Sequence, residues 1–445
     1  MNTRGNITIA LLFFLLTSML GLALLTHTLT HCKISVARSK KILGTNEISQ
    51  ALFLYLHHFK EIVLSADAAA FQSPLDYFTQ DRFPAEYAKN SLVQPTFTYL
   101  ESQKPDYRET RIIATLDASS RKNPYRLKAE ADIDILAGRL PLTTFPVLVD
   151  RAIDQPADAF LAEKGIVNRS DKKAVVADIQ PVFDSGRFLF DSLKVSGSTL
   201  TWAALRERFG LEPVDEPIPE GIYLPCEDGV IGAVFVQGPV EKIILSAGNG
   251  RQRIGIVKGG NRYNLSYLPG GQDFQCWDPG IANGTVFSQK LIINGNVASI
   301  EQEGTSSFLP GCCLILLVSG QAVITSNLET GSLDVNPLAL GKLVLISSGS
   351  FFPNAGNATA GIVIDAGENA HIEASLITSG NIENRQAKLS LSGSLAAADL
   401  DNQGIIEVTY RAPGTDTGPY FQTGDYTYIN QFLISYIEEV YNENE

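Results

Sequence analysis

Leu314-Ile-Leu-Leu-Val-Ser-Gly320 runs through five apolar residues and stops at a serine and a glycine. A run this short, closed by a turn residue, reads as a β-strand. The same texture returns in Ala233-Val-Phe-Val-Gln-Gly238, Leu291-Ile-Ile-Asn-Gly295, Leu343-Val-Leu-Ile-Ser-Ser-Gly349, Gly361-Ile-Val-Ile-Asp-Ala-Gly367 and Leu389-Ser-Leu-Ser-Gly393. An apolar residue follows several of these glycines, as at Val240, Val297, Val323 and Leu395. The spacing is irregular, so there is no strict period. Units of this kind suit a parallel β-solenoid, each rung burying its face on the next; a β-sandwich is the alternative. The expected fold class is α+β, mainly β, with a solenoid-like or sandwich domain over 221–412.

Composition agrees. The 445 residues are 44% apolar and 19% charged, with 37 glycines and only 2 methionines. That mixture favours short strands and tight turns over long helices. A formal net charge of −13 argues against a nucleic-acid partner, because phosphate binding needs clustered Lys and Arg. Five cysteines include no C-x-x-C pair, which removes support for zinc ribbons and thioredoxin-type redox chemistry. Cys226 and Cys276 sit in polar, turn-rich sequence and form a candidate disulfide in an oxidising compartment. Cys312 and Cys313 precede an apolar run and read as small buried hydrophobes.

Upstream of the strands, Ile7 to Leu25 read ITIALLFFLLTSMLGLALL, nineteen residues without a charge. At about 1.5 Å per residue they span roughly 28 Å, the hydrocarbon thickness of a bilayer. Ile7, Leu11, Leu12, Phe13, Phe14, Leu15, Leu16, Leu20, Leu22, Leu24 and Leu25 are the expected membrane anchor. Beyond Gly44-Thr45-Asn46, apolar residues from Ile48 to Val63 recur at helical spacing. The whole reads as a rod, apolar all round in one half and one-faced in the other.

Arg4-Gly5, a polar residue or two and an apolar rod of this length resemble the class III leader of type IV pilins and pseudopilins. The layout is most similar to PilX-type minor pilins and the K-type minor pseudopilins of type II secretion. The resemblance implies cleavage by a prepilin peptidase after Gly5, leaving Asn6 as the new N-terminus. It implies residues 1–5 as leader and 6–66 as a transmembrane and amphipathic stem. Its implied partners are other pilin-like subunits, inner-membrane assembly proteins and the lipid bilayer. Most members carry Glu at the fifth mature position, where this chain has Ala10. A subunit lacking that carboxylate cannot neutralise a neighbour's terminal amine, which suits a tip or initiating position. His371 to Gly380 and Leu389 to Leu395 also resemble the C-terminal part of exported PilX-type proteins. Lys33, Arg38, Lys40 and Lys41 follow the apolar run while Arg4 alone precedes it, and the positive-inside rule would place the body in the cytoplasm. The pilin-like layout instead implies a bacterial inner-membrane protein with a periplasmic or extracellular body.

Residues 67–220 read as a mixed α+β domain. Arg111 to Leu116 and Tyr125 to Leu136 are expected strands, and Asp158–Lys164 and Thr201–Phe209 short helices. Pro213, Pro217 and Pro219, among four acids, read as a linker. Residues 413–445 read as a C-terminal cap or tail, in which Phe432 to Val440 form a helix or a strand.

Chemistry-bearing patterns are sparse. His27, His31 and Cys32 lie at the membrane border, where histidine is an ordinary interface residue. His57 and His58 point to different helix faces. His371 stands without a G-x-S-x-G elbow. Gly248-Asn249-Gly250 reads as a hairpin turn and not a nucleotide loop. Asp132 and Asp134 read as charges on one strand face, and Glu216 and Glu220 as linker charges. Trp202, Tyr263, Tyr267 and Trp277 could stack on sugars, but core packing is the stronger reading. No catalytic residue, metal site or cofactor is assigned. The expectation is a structural filament component, with a membrane-anchored solenoid binding protein or adhesin as the alternative and a tethered carbohydrate-active enzyme as the third.

Overall fold

The computed structural model describes residues 3–441 except 66–92, 104–106, 121–122, 150–156, 171–173, 177–182, 196–199, 279, 282–284, 331–341, 353–358 and 413–419. It is α+β, mainly β, and forms two compact units. The first comprises residues 1–104, 108–136 and 427–445; the second comprises 105–107 and 137–426.

The first unit holds helix α1 (Thr3–Ser65) and most of a four-stranded sheet. The sheet orders its strands as Val93–Gln103, Tyr107–Ser120, Asn123–Pro141 and Gln422–Tyr441. The first two run antiparallel, with Thr98 opposite Ile113. In Tyr107–Ser120, Thr110, Ile112, Ala114 and Leu116 are buried while their neighbours are more open, the alternation of a half-buried strand. Arg111 on the other face donates through Nε to Asp132 Oδ1 at 2.9 Å. The helix packs on Val93–Gln103, and it buries Leu52 and Tyr55 while Phe53 and Leu54 stay open. That is one-faced burial at helical spacing.

The second unit is a parallel β-solenoid. Its register aligns Val234, Leu291, Leu316, Leu345, Leu376, Leu395 and Val147 in one column, all fully buried. From Leu291 to Leu395, consecutive members lie 25, 29, 31 and 19 residues apart along the chain. These unequal steps are why no period shows in the sequence: rungs accept insertions at their corners and still stack. A second face aligns Ile243, Ile300, Ile324, Ile364, Asn384 and Asn402. The strands Ala374–Asn384 and Lys388–Asn402 bend and serve two faces each, so the ladders close on themselves without forming an antiparallel barrel.

The first face is covered on its outer side too. Phe235, Ile292, Ile315, Leu317, Val344, Ile346 and Ile377 alternate with the inward column and are also buried. Over this face run helices α3 (Ser185–Leu193) and α4 (Trp202–Arg208), both following α2 (Ala157–Glu163). Phe209 tilts against Phe235 at 5.6 Å, and Trp202 stacks on Phe352 at 3.8 Å between ring centres. Two-sided burial accounts for the unbroken apolar run Cys313–Val318. The residues after α4 are no free linker: Ile218 is buried, Arg206 binds the Glu212 and Pro217 carbonyls, and Glu220 pairs with Lys258 at 3.0 Å.

Further strands extend the stack at both ends. At the first rung, Lys242–Gly248, Arg251–Lys258, Asn261–Leu268 and Gln272–Gln275 fold into an antiparallel meander. Its first turn is the expected Asn249-Gly250 hairpin, with φ of 55° and 72°. At the last rung, an earlier part of the chain returns. Val147–Val149 adds in parallel to Leu395–Ala397, and Ile166–Asn168 adds to Ile406–Val408. Asn384 donates to Asn402 Oδ1 at 2.7 Å and Asn402 donates to Lys164 O at 2.5 Å, which satisfies the polar column at that corner. The division of the chain therefore differs from the sequence-derived one: Val93–Gln103, Tyr107–Ser120 and Asn123–Pro141 share a sheet with the C-terminal strand, and the described residues of 147–220 close and cover the solenoid. The tail forms a strand and not a helix.

Tight stacking fixes glycine at one corner. A Cβ on Gly380 would lie 2.0 Å from Ala360 O and 2.8 Å from Ala360 C, both backbone atoms. Gly380→Ala is expected to lower unfolding free energy by about 2–3 kcal/mol, because the rungs must part. Gly248→Ala, where nothing lies within 4 Å, is the control and should change it by less than about 0.5–1 kcal/mol. Urea melts of both variants check this; equal midpoints would contradict it.

Candidate functional site

Two features of the molecule face outward with chemistry to offer. The first is the stem. Leu12–Val36 is long and apolar enough to cross a membrane, and none of it is buried within the chain. Leu12, Phe13, Phe14, Leu15, Leu16, Leu20, Leu22, Leu24 and Leu25 are all exposed. Gly5, Asn6, Ile7 and Leu11 lie in α1, and their side chains are outside the described residues. The polar side chains of the span are partly masked from within. Thr17, Thr26, Thr28 and Thr30 donate their hydroxyls to the carbonyls four residues back, at 2.9, 2.6, 2.7 and 2.7 Å. This helical back-bonding leaves those donors satisfied without water.

The second is a trough of about 580 Å³ on the outer face of the meander. Alternation builds it. Gln252, Ile254, Ile256, Leu265, Tyr267 and Phe274 point inward and are buried. Ser246, Arg253, Arg262, Asn264, Ser266 and Gln275 line the outer side, with Cys276 and Glu303. The pairing sets rows across the strands: Ile244, Gly255 and Asn264 in one, Ser246, Arg253 and Ser266 in the next. Gly255 leaves the floor open. A Cβ there would stand 3.1 Å from Arg262 Nε and 3.3 Å from Ile244 Cβ. The Arg262 side chain therefore crosses the missing side chain and reaches Glu303 Oε2 at 2.6 Å, while its Nε donates to Asn264 Oδ1 at 3.0 Å. That bond holds the Glu303 carboxyl below its usual range and raises Arg262. Arg253 adds to the pull on Glu303, but its guanidinium makes no hydrogen bond or ion pair among the described residues.

Elsewhere the expected sites resolve differently. Among the described residues no three His, Cys, Asp or Glu side chains gather as a metal site. The His27 and His31 rings lie 4.6 Å apart on the exposed stem. His371 sits 3.6 Å from Glu373, whose hydrogen bond raises the imidazole pKa. Burial alone would raise the Glu373 carboxyl, and hydrogen bonds from His371 and Thr330 outweigh it, so its pKa falls. This is a structural pair at the end of strand Asn369–Ile372, which pairs in parallel with Lys388–Leu391. Of the four aromatics, Tyr267 is core, its hydroxyl donating to Cys313 O at 3.0 Å, and Trp202 is stacked on Phe352. Tyr263 and Trp277 pack edge to face at 5.1 Å, with Trp277 still 37% exposed.

The Cys226–Cys276 pairing is not made: both are free thiols. Cys276 is held in its own turn, its sulfur accepting from the Asp278 amide at 3.4 Å, and Cys226 is exposed in a separate short strand. Cys312 is a core residue, and burial pushes its thiol up to about 11. At pH 8 such a thiol is ionised to roughly one part in a thousand. Alkylation of the native protein with iodoacetamide is therefore expected to label Cys226 and spare Cys312 until denaturant is added. Labelling of both at one rate, read by peptide mass spectrometry, would contradict the burial.

The sequence had not singled out Arg253, Arg262, Asn264 or Glu303. The alternation Arg251-Gln-Arg-Ile-Gly-Ile256 was a visible signal for an outer polar face. That Glu303 joins it, 41 residues from Arg262, was not. No family model, curated protein or solved structure matches the chain.

Proposed function

We propose that the protein is a minor-pilin-like or pseudopilin-like structural component, which initiates or caps a filament of a type IV pilus or type II secretion system. The supporting observation is the first unit. A 63-residue helix exposes one apolar span and then seats Leu52 and Tyr55 beside its own small sheet. In the sequence, the whole solenoid is inserted between the third and fourth strands of that sheet. A stem that carries its cargo as an insertion keeps its free end available for packing with other helices. On this reading the precursor sits in the bacterial inner membrane, its body is periplasmic or extracellular, and a prepilin peptidase cuts after Gly5. Ile7 to Leu25 first contact lipid and later sister stems, through apolar contact and close packing. Ala10 suits a subunit with none above it.

Gly5→Val is expected to block removal of the leader. Native protein should begin at Asn6, and the variant should keep residues 1–5. Intact-mass measurement of both, purified from native membranes, decides it: an identical N-terminus in the two would overturn the reading. The second reading, a membrane-anchored solenoid that binds a ligand, draws its support from the trough around Arg253.

A further inference from the structure

The trough has the character of a binding site for a particular chemistry. It is an open depression whose volume, about 580 Å³, falls in the range of small-ligand sites. Its lining is more polar than apolar: two guanidiniums, two side-chain amides, two serine hydroxyls and one carboxylate, beside Gly255, Leu265 and Cys276. There is no broad apolar wall, which disfavours lipids and aromatic ligands. Amides and hydroxyls together offer both donors and acceptors, the pattern that neighbouring sugar hydroxyls need. The charge is also specific. Arg262 is already satisfied by Glu303 and Asn264, whereas the exposed Arg253 stands between Ser246 and Ser266 with no acceptor on its guanidinium among the described residues. In a chain of net charge −13, a guanidinium in a concavity that feels Glu303 only at a distance is set for an anion. A guanidinium fork fits a planar carboxylate in two parallel hydrogen bonds.

The geometry points to a subsite for an acidic saccharide, in which Arg253 holds the carboxylate of a uronate unit and Asn264, Ser266 and Gln275 take its hydroxyls. Glu303 competes for the same positive region. It holds the Arg262 guanidinium over the bare floor at Gly255, so Arg262 is a reserve cation and not a ligand contact. This assignment stands apart from the filament reading, since it needs only the folded solenoid.

The test is calorimetric titration of the full chain, in detergent micelles, with a galacturonic-acid tetramer. A neutral galactose tetramer and a hexaglutamate peptide are the comparison probes. Saturable binding of the acidic tetramer alone is expected. Arg253→Gln should weaken it about ten- to a hundredfold, the worth of a charge-assisted pair. Glu303→Gln should tighten it several-fold by freeing Arg262, a change of sign that simple damage to the fold does not produce. Added salt should weaken it. The proposal fails if the acidic tetramer does not bind, or if the neutral tetramer or the peptide binds equally well. It fails too if Arg253→Gln keeps full affinity or Glu303→Gln binds more weakly.

Discussion

Leu345→Asp is expected to abolish the fold of the second unit. Leu345 is fully buried and sits in the column between Leu316 and Leu376. The exchange removes about 2–3 kcal/mol of apolar burial. It also leaves a carboxylate with no cation in a stack of leucines, at a further cost of several kcal/mol. Together these approach the whole stability of an ordinary domain, about 5–15 kcal/mol. A solenoid amplifies the effect, because each rung is stabilised mainly by its two neighbours. Circular dichroism should show loss of the β signal and limited proteolysis should degrade residues 137–426. Leu345→Met, similar in volume, should cost less than about 1.5 kcal/mol. An Asp variant that melted within a few degrees of the parent would mean that this column is not the core.

The second large effect concerns the stem. Leu16→Arg with Leu20→Arg places two charges within a span that has none between Ile7 and Leu25. Each arginine near the centre of a membrane helix costs about 2.5–3.5 kcal/mol on insertion scales, and each lost leucine removes about half a kcal/mol of favourable transfer. The sum, about 6–8 kcal/mol, exceeds what nineteen apolar residues can spare. The double variant is expected in the soluble fraction after carbonate extraction, with its β-rich body intact by circular dichroism. If it stayed in the membrane pellet like the parent, retention would have to come from elsewhere. The two experiments address different units, so neither outcome bears on the other.

Sequence alone determined a good deal here. The uncharged run Ile7–Leu25 could only be a long apolar helix, because composition at that length leaves no other stable element in lipid. Individual strands were legible because a run such as Leu343-Val-Leu-Ile is strong in β-branched residues and ends at turn formers. The Asn249-Gly250 hairpin followed from two residues able to hold positive φ. All of these are local. What the tertiary structure alone decided was non-local. Parallel rungs are paired across 19 to 31 residues, and insertions at the corners erase the period while the register survives. The rung beyond Leu395 comes from Val147–Val149, far earlier in the chain, and nothing in either segment names the other. The same holds for the C-terminal strand beside Asn123–Pro141, and for the trough, where the absent side chain of Gly255 lets Arg262 reach Glu303. Backbone hydrogen bonds between strands are the same for any sequence, so which strands meet is set by side-chain fit over the whole core, and that is settled only when the chain has closed.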